Sequence, residues 1–177
     1  DCAVGIDSGW GAPSRKHELY AACLKHGRWR RGPTGEFWDG WLPMLGDDAR
    51  EFSRKEDGET IKVFFKLATI DANIGQFGAP KELQRCSWCK DHYSDLLFRH
   101  LIPGVFPGFT LPKNIAMHRD GEYIAQITCV ERREIRDAEG NVIDHEWVEH
   151  GRHDHADCER MQLVMADVGG IGRQLNS

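Results

Sequence analysis

The sequence predicts an α/β domain with a mixed sheet, flanking helices and an inserted hairpin. A short apolar run over residues 3–7 is typical of a buried strand, and a helical pattern follows it at once. Further strand-like runs come next, and the chain closes on a long helical pattern. Strands that alternate with helices are typical of this class, and 177 residues suit one domain.

The first half of the chain contains one predicted helix among short strands. Ser14 is the expected N-cap of that helix, in which Leu19 and Cys23 share one stripe. In order, the predicted elements are a strand over 3–7, a helix that ends at Gly27, a turn-rich segment over 28–40, a strand over 41–45 that Gly46 ends, a charged connection over 47–59, and a strand over 61–71.

The second half contains two longer predicted helices around a hairpin. In order, its predicted elements are a helix over 86–101, a strand over 122–135, a turn around Gly140, a strand over 145–151, and a helix over 154–168 that Gly169 and Gly170 end. The inward-facing positions expected on the first of these helices are Tyr93, Leu96, Leu97 and Leu101.

Composition and charge exclude some classes of protein. Hydrophobic residues make up 40% and charged residues 29%, as in globular proteins, and no apolar run approaches the roughly 20 residues of a membrane helix. The net charge of −5 argues against a general nucleic-acid binder, although a metal-dependent nuclease is itself built around acids. Without a secretion signal we expect the six cysteines to be reduced. Asp1 directly precedes a strand, so we expect a piece of a longer protein.

Three acids lie where metal chemistry is common. Asp7 ends the first strand, and Asp154 and Asp157 share a face at the start of the last helix, ahead of an apolar stripe. An acid at the head of a buried stripe is costly unless it is paired or bound to a cation. A strand-end acid beside a helix-start acid would suit Mg²⁺. The alternatives are an Asx turn at Asp7 and helix capping at Asp154.

Histidines and cysteines add further possibilities. His150, His153 and His155 crowd the start of the last helix, where one of them could assist an acid or a metal, while a solvated turn is the expected role of at least two. Cys86 and Cys89 have the spacing of two zinc ligands, with His92 three residues on. No second ligand pair follows them, so the sequence favours buried thiols over zinc.

Blocks in sequence order resemble the nuclease part of the large terminase subunit of tailed bacteriophages of the lambda-like type. They are VGIDSG with the helix ELYAACLKHG, WLPMLG, WCKDHYSDLLFRHL, FTLPKNI with GEYIAQITCVERREI, and HEWVEHGRHDHADCERMQLVMA. The order and spacing of the blocks carry the resemblance over nearly the whole chain. One departure is that the family often has Asn-Glu ahead of its Asp-Cys pair, where this chain has His153 and Asp154.

The resemblance implies an RNase H-like nuclease fold in which three acids bind two Mg²⁺ or Mn²⁺ ions. It implies an endonuclease that cuts concatemeric, double-stranded viral DNA during packaging in the host cytoplasm, with the small terminase subunit and the portal as partners and no membrane. In that family an ATPase motor precedes the nuclease. No GxxxxGK[ST] loop occurs in the sequence, so residues 1–177 are expected to be a single nuclease domain from the C-terminal part of such a protein.

The blocks also imply roles for individual residues. The strand, acid and helix around Asp7 resemble the second acidic motif of the family. The strand that carries the first acid should be followed by a meander of further strands and not by a helix. In this register the first strands and the first acid would precede residue 1. Asp7 and Asp157 are carried over as catalytic metal ligands, with Asp154 as an auxiliary acid. On this interpretation the chain alone is inactive, and Mn²⁺-dependent nicking lost on Asp7→Ala would contradict it.

Basic residues provide candidate contacts to the DNA backbone. Arg28, Arg30 and Arg31 lie in the densest basic stretch, and Lys90 is the third residue of the block WCKDHYSDLLFRHL, which resembles a Lys-led helix of the family. Such side chains hold phosphates without reading sequence. A solvated helix end is the equally simple interpretation of the basic stretch, since cations are favoured at helix C-termini.

Two alternatives stay open, a second type of nuclease and a binding module from another class of protein. In a rival register Asp7 is the first acid and Asp71 the second, as in another RNase H-like nuclease of the resolvase or transposase type. The other alternative is a non-catalytic, zinc-stabilised binding module that uses Cys86, Cys89 and His92. Metal analysis of the protein would separate this module from the nuclease.

Overall fold

The computed structural model describes residues 3–9, 13–26, 40–72, 81–101, 113–115 and 121–170. The elements within these ranges, in chain order, are β1 (Ala3–Asp7), α1 (Pro13–Lys25), β2 (Gly40–Asp47), β3 (Phe52–Glu56), β4 (Glu59–Val63), β5 (Phe65–Ala72), β6 (Lys81–Cys89), α2 (Lys90–Asp95), a π-helical segment (Leu96–Leu101), α3 (Glu122–Thr128), β7 (Val130–Arg136), β8 (Val142–Glu149) and α4 (Asp154–Val168). No helix among them is long and apolar enough to cross a membrane.

The chain divides into two compact units, the first of which holds a mixed sheet. This unit comprises the described residues up to Lys90 and those from Val164 onward. The strand order is β1-β2-β6-β5. β1, β2 and β6 run parallel, and β5 pairs antiparallel with β6. The predicted α/β class and mixed sheet are therefore confirmed.

Helix α1 packs on this sheet through its apolar stripe. Cys23 is fully buried beside Leu83 of β6. The partly buried residues packed against this pair are Ile6, Leu19, Tyr20, Leu24, Trp41 and Ile70. The predicted stripe of the helix is confirmed, while the helix begins at Pro13 and not after Ser14. Proline suits the first position of a helix because its missing N–H would have no partner there.

A hairpin that the sequence analysis missed follows β2. β3 and β4 pair antiparallel around Asp57 and Gly58, whose φ angles are 50° and 85°. Two positive φ angles are typical of the tight type I′ turn, for which Asp-Gly is a preferred sequence. The prediction of one strand over 61–71 was wrong, because β4 pairs with β3 whereas β5, beginning at Phe65, pairs with β6.

The predicted end of β2 and the predicted start of the helix that follows β6 were also wrong. β2 continues through Gly46 to Asp47 and does not stop at the glycine. The region 86–89, predicted as helix, is the end of β6, and the helix begins only at Lys90. The consecutive residues Cys86, Ser87, Trp88 and Cys89 are all buried, so this end of β6 is covered on both faces of the sheet. A strand buried on both faces gives a continuous apolar run, which periodicity cannot distinguish from a buried helix.

The second unit, Asp91–Leu163, contains α3 and a hairpin made of β7 and β8. The predicted turn at Gly140, whose φ is 87°, and the returning strand are confirmed. The predicted strand over 122–135 was half wrong, since 122–128 is the helix α3 and only β7 is extended. Within this unit Tyr93 and Leu97 are buried as predicted and Leu96 is partly buried, while the side chain of Leu101 is outside the described part of the chain.

The predicted last helix is confirmed with the predicted bounds, Asp154–Val168, and ends beside Gly170 with φ 72°. Its buried stripe differs from the expected one. The stripe runs through Ala156, Arg160, Val164 and Val168 at four-residue spacing. Asp157 lies beside this stripe and not on it, and an arginine takes a position where an apolar residue is usual.

Candidate metal centre

Three ligand-type side chains of the second unit converge where β8 leads into α4. Glu149 ends β8, His153 precedes the helix, and Asp157 lies in its first turn. His153 Nε2 lies 3.1 Å from Glu149 Oε2 and 3.3 Å from Asp157 Oδ2. The three ligand atoms lie within 4.8 Å of one another, and each side chain is about one-third exposed. We call these residues the acidic–histidine group.

The hydrogen bond made by Nδ1 of His153 determines whether Nε2, which faces the acids, carries a hydrogen in the neutral ring. Nδ1 lies 2.9 Å from the carbonyl oxygen of Gly151. A carbonyl oxygen can only accept a hydrogen bond, so Nδ1 carries the hydrogen and donates it. In the neutral ring, the lone pair on Nε2 then faces two carboxylate oxygens. The group therefore needs a positive charge at this point, either a proton on Nε2 or a cation.

The donor set fits a divalent cation. Neighbouring ligand atoms of an octahedral ion lie about 3.0 Å apart, because its bonds to oxygen are about 2.0–2.1 Å long. The distances from His153 Nε2 to the two oxygens, 3.1 and 3.3 Å, are close to this value. A neutral imidazole whose Nδ1–H is held by a carbonyl is the usual form of a metal-binding histidine.

Arg160 contacts the remaining oxygens of both carboxylates. Its Nη1 lies 3.0 Å from Glu149 Oε1 and 2.9 Å from Asp157 Oδ1. The side chain is only 1% exposed, and its guanidinium carbon lies 5.7 Å from the centre of the Phe98 ring. One nitrogen thus orients the two acids, and their outer oxygens face His153.

Helix α3 holds the start of α4 in place. Gln126 Oε1 accepts a hydrogen bond from the backbone N–H of His155, which satisfies one of the unpaired donors of the first helical turn. The Tyr123 hydroxyl donates to Glu159 over 2.8 Å. Burial, together with the Glu159 carboxylate, raises the pKa of Tyr123 above its usual range, so this hydroxyl stays a donor.

The other predicted residues near α4 lie outside the acidic–histidine group. Asp154 is exposed and pairs with Arg152 at 2.6 Å. His150 pairs with Glu131 at 3.0 Å, and the ring of His155 lies beside Tyr123. His150 follows β8, whereas His155 lies within α4, so the solvated turn expected for at least two of the three histidines stays a prediction, as does the auxiliary role of Asp154.

Asp7 makes the Asx turn that the sequence analysis named as its alternative role. Its Oδ1 accepts a hydrogen bond of 2.7 Å from the N–H of Gly9. Asp7 belongs to the first unit and Asp157 to the second, so their pairing stays a prediction. Asp7 also lies at the carboxyl edge of the parallel strands, where ligands commonly bind in α/β sheets.

The sheet register separates Asp7 from Asp71. Asp7 pairs with Met44, and that row continues across the sheet through Cys86 to Leu67. Asp71 lies four residues beyond Leu67, about 13 Å along the strand and, over three strand spacings, about 14 Å across the sheet. The rival register, in which these two acids share one site, does not fit this arrangement.

Cys86 and Cys89 do not share a ligand face. They lie three residues apart on β6, and side chains at an odd separation point to opposite faces of a strand. Both are fully buried, and burial raises the pKa of Cys86 to about 12. Because they point to opposite faces, the two thiols do not form the ligand pair that a structural zinc site needs.

Of the predicted DNA contacts, only Lys90 is described. Its Nζ lies 3.1 Å from Asp48 Oδ1, and its stem crosses β2 at Gly46, where a Cβ would lie 2.7 Å from Lys90 Cε. A side chain at Gly46 would therefore force the stem of Lys90 to shift, so the glycine makes room for this lysine and does not form a turn. Arg28, Arg30 and Arg31 lie outside the described residues.

Comparisons with protein-family models, with curated proteins and with solved structures found no match.

One residue of the acidic–histidine group, Glu149, and its buried partner Arg160 were missed from sequence. Glu149 was assigned only to a strand, and Arg160 was given no role. The available signal was the spacing, because Glu149, His153 and Asp157 are each four residues apart. A charged residue among the apolar positions of the last helix, Arg160, was the second signal.

Proposed function

We propose that this chain is the metal-dependent DNA endonuclease domain of a terminase large subunit of tailed phages, with an RNase H-like fold. It would cut concatemeric viral DNA during packaging, with Asp157 as a ligand of Mg²⁺ or Mn²⁺. The observation that carries the proposal is the position of His153 Nε2 between Glu149 Oε2 and Asp157 Oδ2, at 3.1 and 3.3 Å. The order of the sequence blocks supports the substrate.

Each residue of the acidic–histidine group would provide one ligand atom to an ion. Glu149 and Asp157 would supply one oxygen each and His153 would supply Nε2, while the carbonyl of Gly151 fixes the ring through Nδ1. A divalent cation held there would supply Lewis-acid polarisation of a phosphodiester. In this proposal Asp7 is a further metal ligand, and Lys90 contacts the DNA backbone.

Manganese binding to the intact chain tests this proposal. Bound Mn²⁺ is counted by electron paramagnetic resonance for the wild type and for Asp157→Asn, which removes a ligand charge with little change of shape. We expect the variant to bind more than about 100-fold more weakly, since even outer-shell partners of metal ligands are worth about 10–100-fold. Any Mn²⁺-dependent plasmid nicking should fall in parallel.

A matched control excludes a general effect of charge. Glu134→Gln removes one negative charge from the same unit, at an exposed position paired with Arg136. It should bind Mn²⁺ like the wild type. Equal binding by the wild type and Asp157→Asn, or no binding by either, would contradict the proposed function. Stoichiometric zinc that is lost on Cys86→Ser would favour the zinc-stabilised module.

A further inference from the structure

We propose that Arg160 is a resident cation that takes one of the two cation positions on the Glu149–Asp157 carboxylate pair. The acidic–histidine group would then bind a single divalent ion, through Glu149 Oε2, Asp157 Oδ2 and His153 Nε2. This inference rests on the proposed function, because it assumes that the group binds metal. A second catalytic ion, as the terminase resemblance implies, would need ligands outside this group.

The carboxylate contacts are divided between two sides. Glu149 Oε1 and Asp157 Oδ1 lie 3.0 and 2.9 Å from Arg160 Nη1, whereas the other oxygen of each acid faces His153. In two-ion sites, bridging carboxylates offer one oxygen to each ion. Here Arg160 Nη1 lies between Glu149 Oε1 and Asp157 Oδ1, where one of the two ions of such a site would lie.

The burial of Arg160 is an independent observation. The side chain is 1% exposed, yet its Nε and Nη2 have no hydrogen-bond partner within the described part of the chain. A buried guanidinium with unpaired donors is costly, and an apolar side chain of similar size is often at least as stabilising as a buried ion pair. Stability alone therefore does not account for an arginine here, whereas a fixed positive charge facing two metal-ligating acids does.

The charges of the group favour one ion over two. With neutral His153, two carboxylates and one guanidinium sum to a single negative charge. One divalent ion leaves a net charge of plus one, whereas a second would leave plus three in a group about one-third exposed. Like charges at such separations repel strongly in a medium less polar than water.

The number of bound Mn²⁺ ions tests this inference on the intact chain. For each protein, the number of ions at the acidic–histidine group is the number of Mn²⁺ ions that it binds minus the number bound by the same protein carrying Asp157→Asn. We expect one ion in the wild type and one in Arg160→Lys, which keeps the charge. In Arg160→Gln, which removes it, the count should rise to two. Arg133→Gln removes an exposed arginine paired with Glu146 and should leave one.

The outcomes separate the two proposals. Zero ions in the wild type would overturn the proposed function, and this inference with it. One ion in the wild type with one or none in a folded Arg160→Gln would overturn only the inference, because Arg160 would then orient the acids without occupying a cation position. Two ions in the wild type or in Arg160→Lys would overturn it as well.

A measurement on the wild type decides the matter if Arg160→Gln does not fold. Arginine side-chain nitrogens are followed by NMR during titration with Mg²⁺, which is diamagnetic. If Arg160 holds its position, its Nη1 hydrogens stay protected from exchange with water at saturating Mg²⁺. Loss of that protection would show that the ion displaces the guanidinium, and it would overturn the inference.

Discussion

At the scale of single residues, Gly5 shows how closely the first unit is packed. A Cβ at this position would lie 2.4 Å from Met44 Sδ and 3.2 Å from Met165 Cγ. Met44 is fully buried, so its side chain has little room to move aside. The missing side chain at Gly5 therefore allows the strand and the two methionines to approach each other.

Gly5→Ala should lower the free energy of unfolding by about 1–3 kcal/mol, the usual cost of adding a methyl group to a filled core. The smaller unfolded-state entropy of alanine offsets only about 0.4–1 kcal/mol. Urea unfolding measures the difference. Gly151→Ala is the matched control, since a Cβ there meets nothing within 4 Å, and it should change stability little. An unchanged midpoint for Gly5→Ala would contradict this account of the packing.

Single residues also show what the sequence could and could not predict about the site. Asp157 was named as a ligand, and one of His150, His153 and His155 was expected to assist an acid or a metal, because carboxylates and imidazoles at the start of a helix are visible in the sequence. Arg160 was not, because its role depends on Glu149, 11 residues away on a strand. Whether a guanidinium meets two acids is decided by the turn between β8 and α4, which local spacing does not determine.

At the scale of elements, the hairpin of β7 and β8 depends on the side chain of Asp137. Its Oδ1 accepts hydrogen bonds from the N–H groups of Asn141 at 2.7 Å and Glu139 at 3.0 Å, and its Oδ2 accepts one from Asn141 Nδ2. These bonds favour the ionised form, so the pKa of Asp137 lies below its usual value, with Asn141 as the main cause.

The stability of this turn should depend on pH. A carboxylate with a lowered folded-state pKa contributes fully above its unfolded pKa, about 3.9, and the contribution is lost as the pH falls through the folded value. The protection of the Glu139 and Asn141 amides against exchange, measured relative to their intrinsic rates at each pH, should therefore fall at the acid end of this window. Asp137→Asn should abolish the dependence, and Glu139→Gln should keep it. An Asp137 carboxyl that titrates by NMR at or above about 3.9 would contradict the prediction.

Elements with their own local pattern were predicted, and those decided by distant partners were not. Residues 154–168 have helical spacing and a glycine stop, so α4 was predicted with its bounds. Residues 122–128 alternate like a strand, yet they form α3, in which Gln126 and Tyr123 bond to residues 29 and 36 positions away. Such hydrogen bonds are tertiary, and they override local propensity.

At the scale of the whole molecule, the predicted class and mixed sheet are present, while the order of strands could not be read from the sequence. The order β1-β2-β6-β5 places β6 between β2 and β5, although it is the last of these four strands along the chain. This order also decides which acids can meet, because it brings Asp71 to the edge opposite Asp7. The terminase-type nuclease itself stays a proposal whose chemistry depends on the acidic–histidine group.

Anomalous X-ray diffraction from crystals of the intact chain grown with Mn²⁺ tests the central claim most directly. The account predicts a manganese peak within bonding distance of Glu149 Oε2, His153 Nε2 and Asp157 Oδ2, and no such peak in Asp157→Asn. Ordered carboxylates and imidazole in these positions at saturating Mn²⁺, with no manganese peak between them, would contradict it.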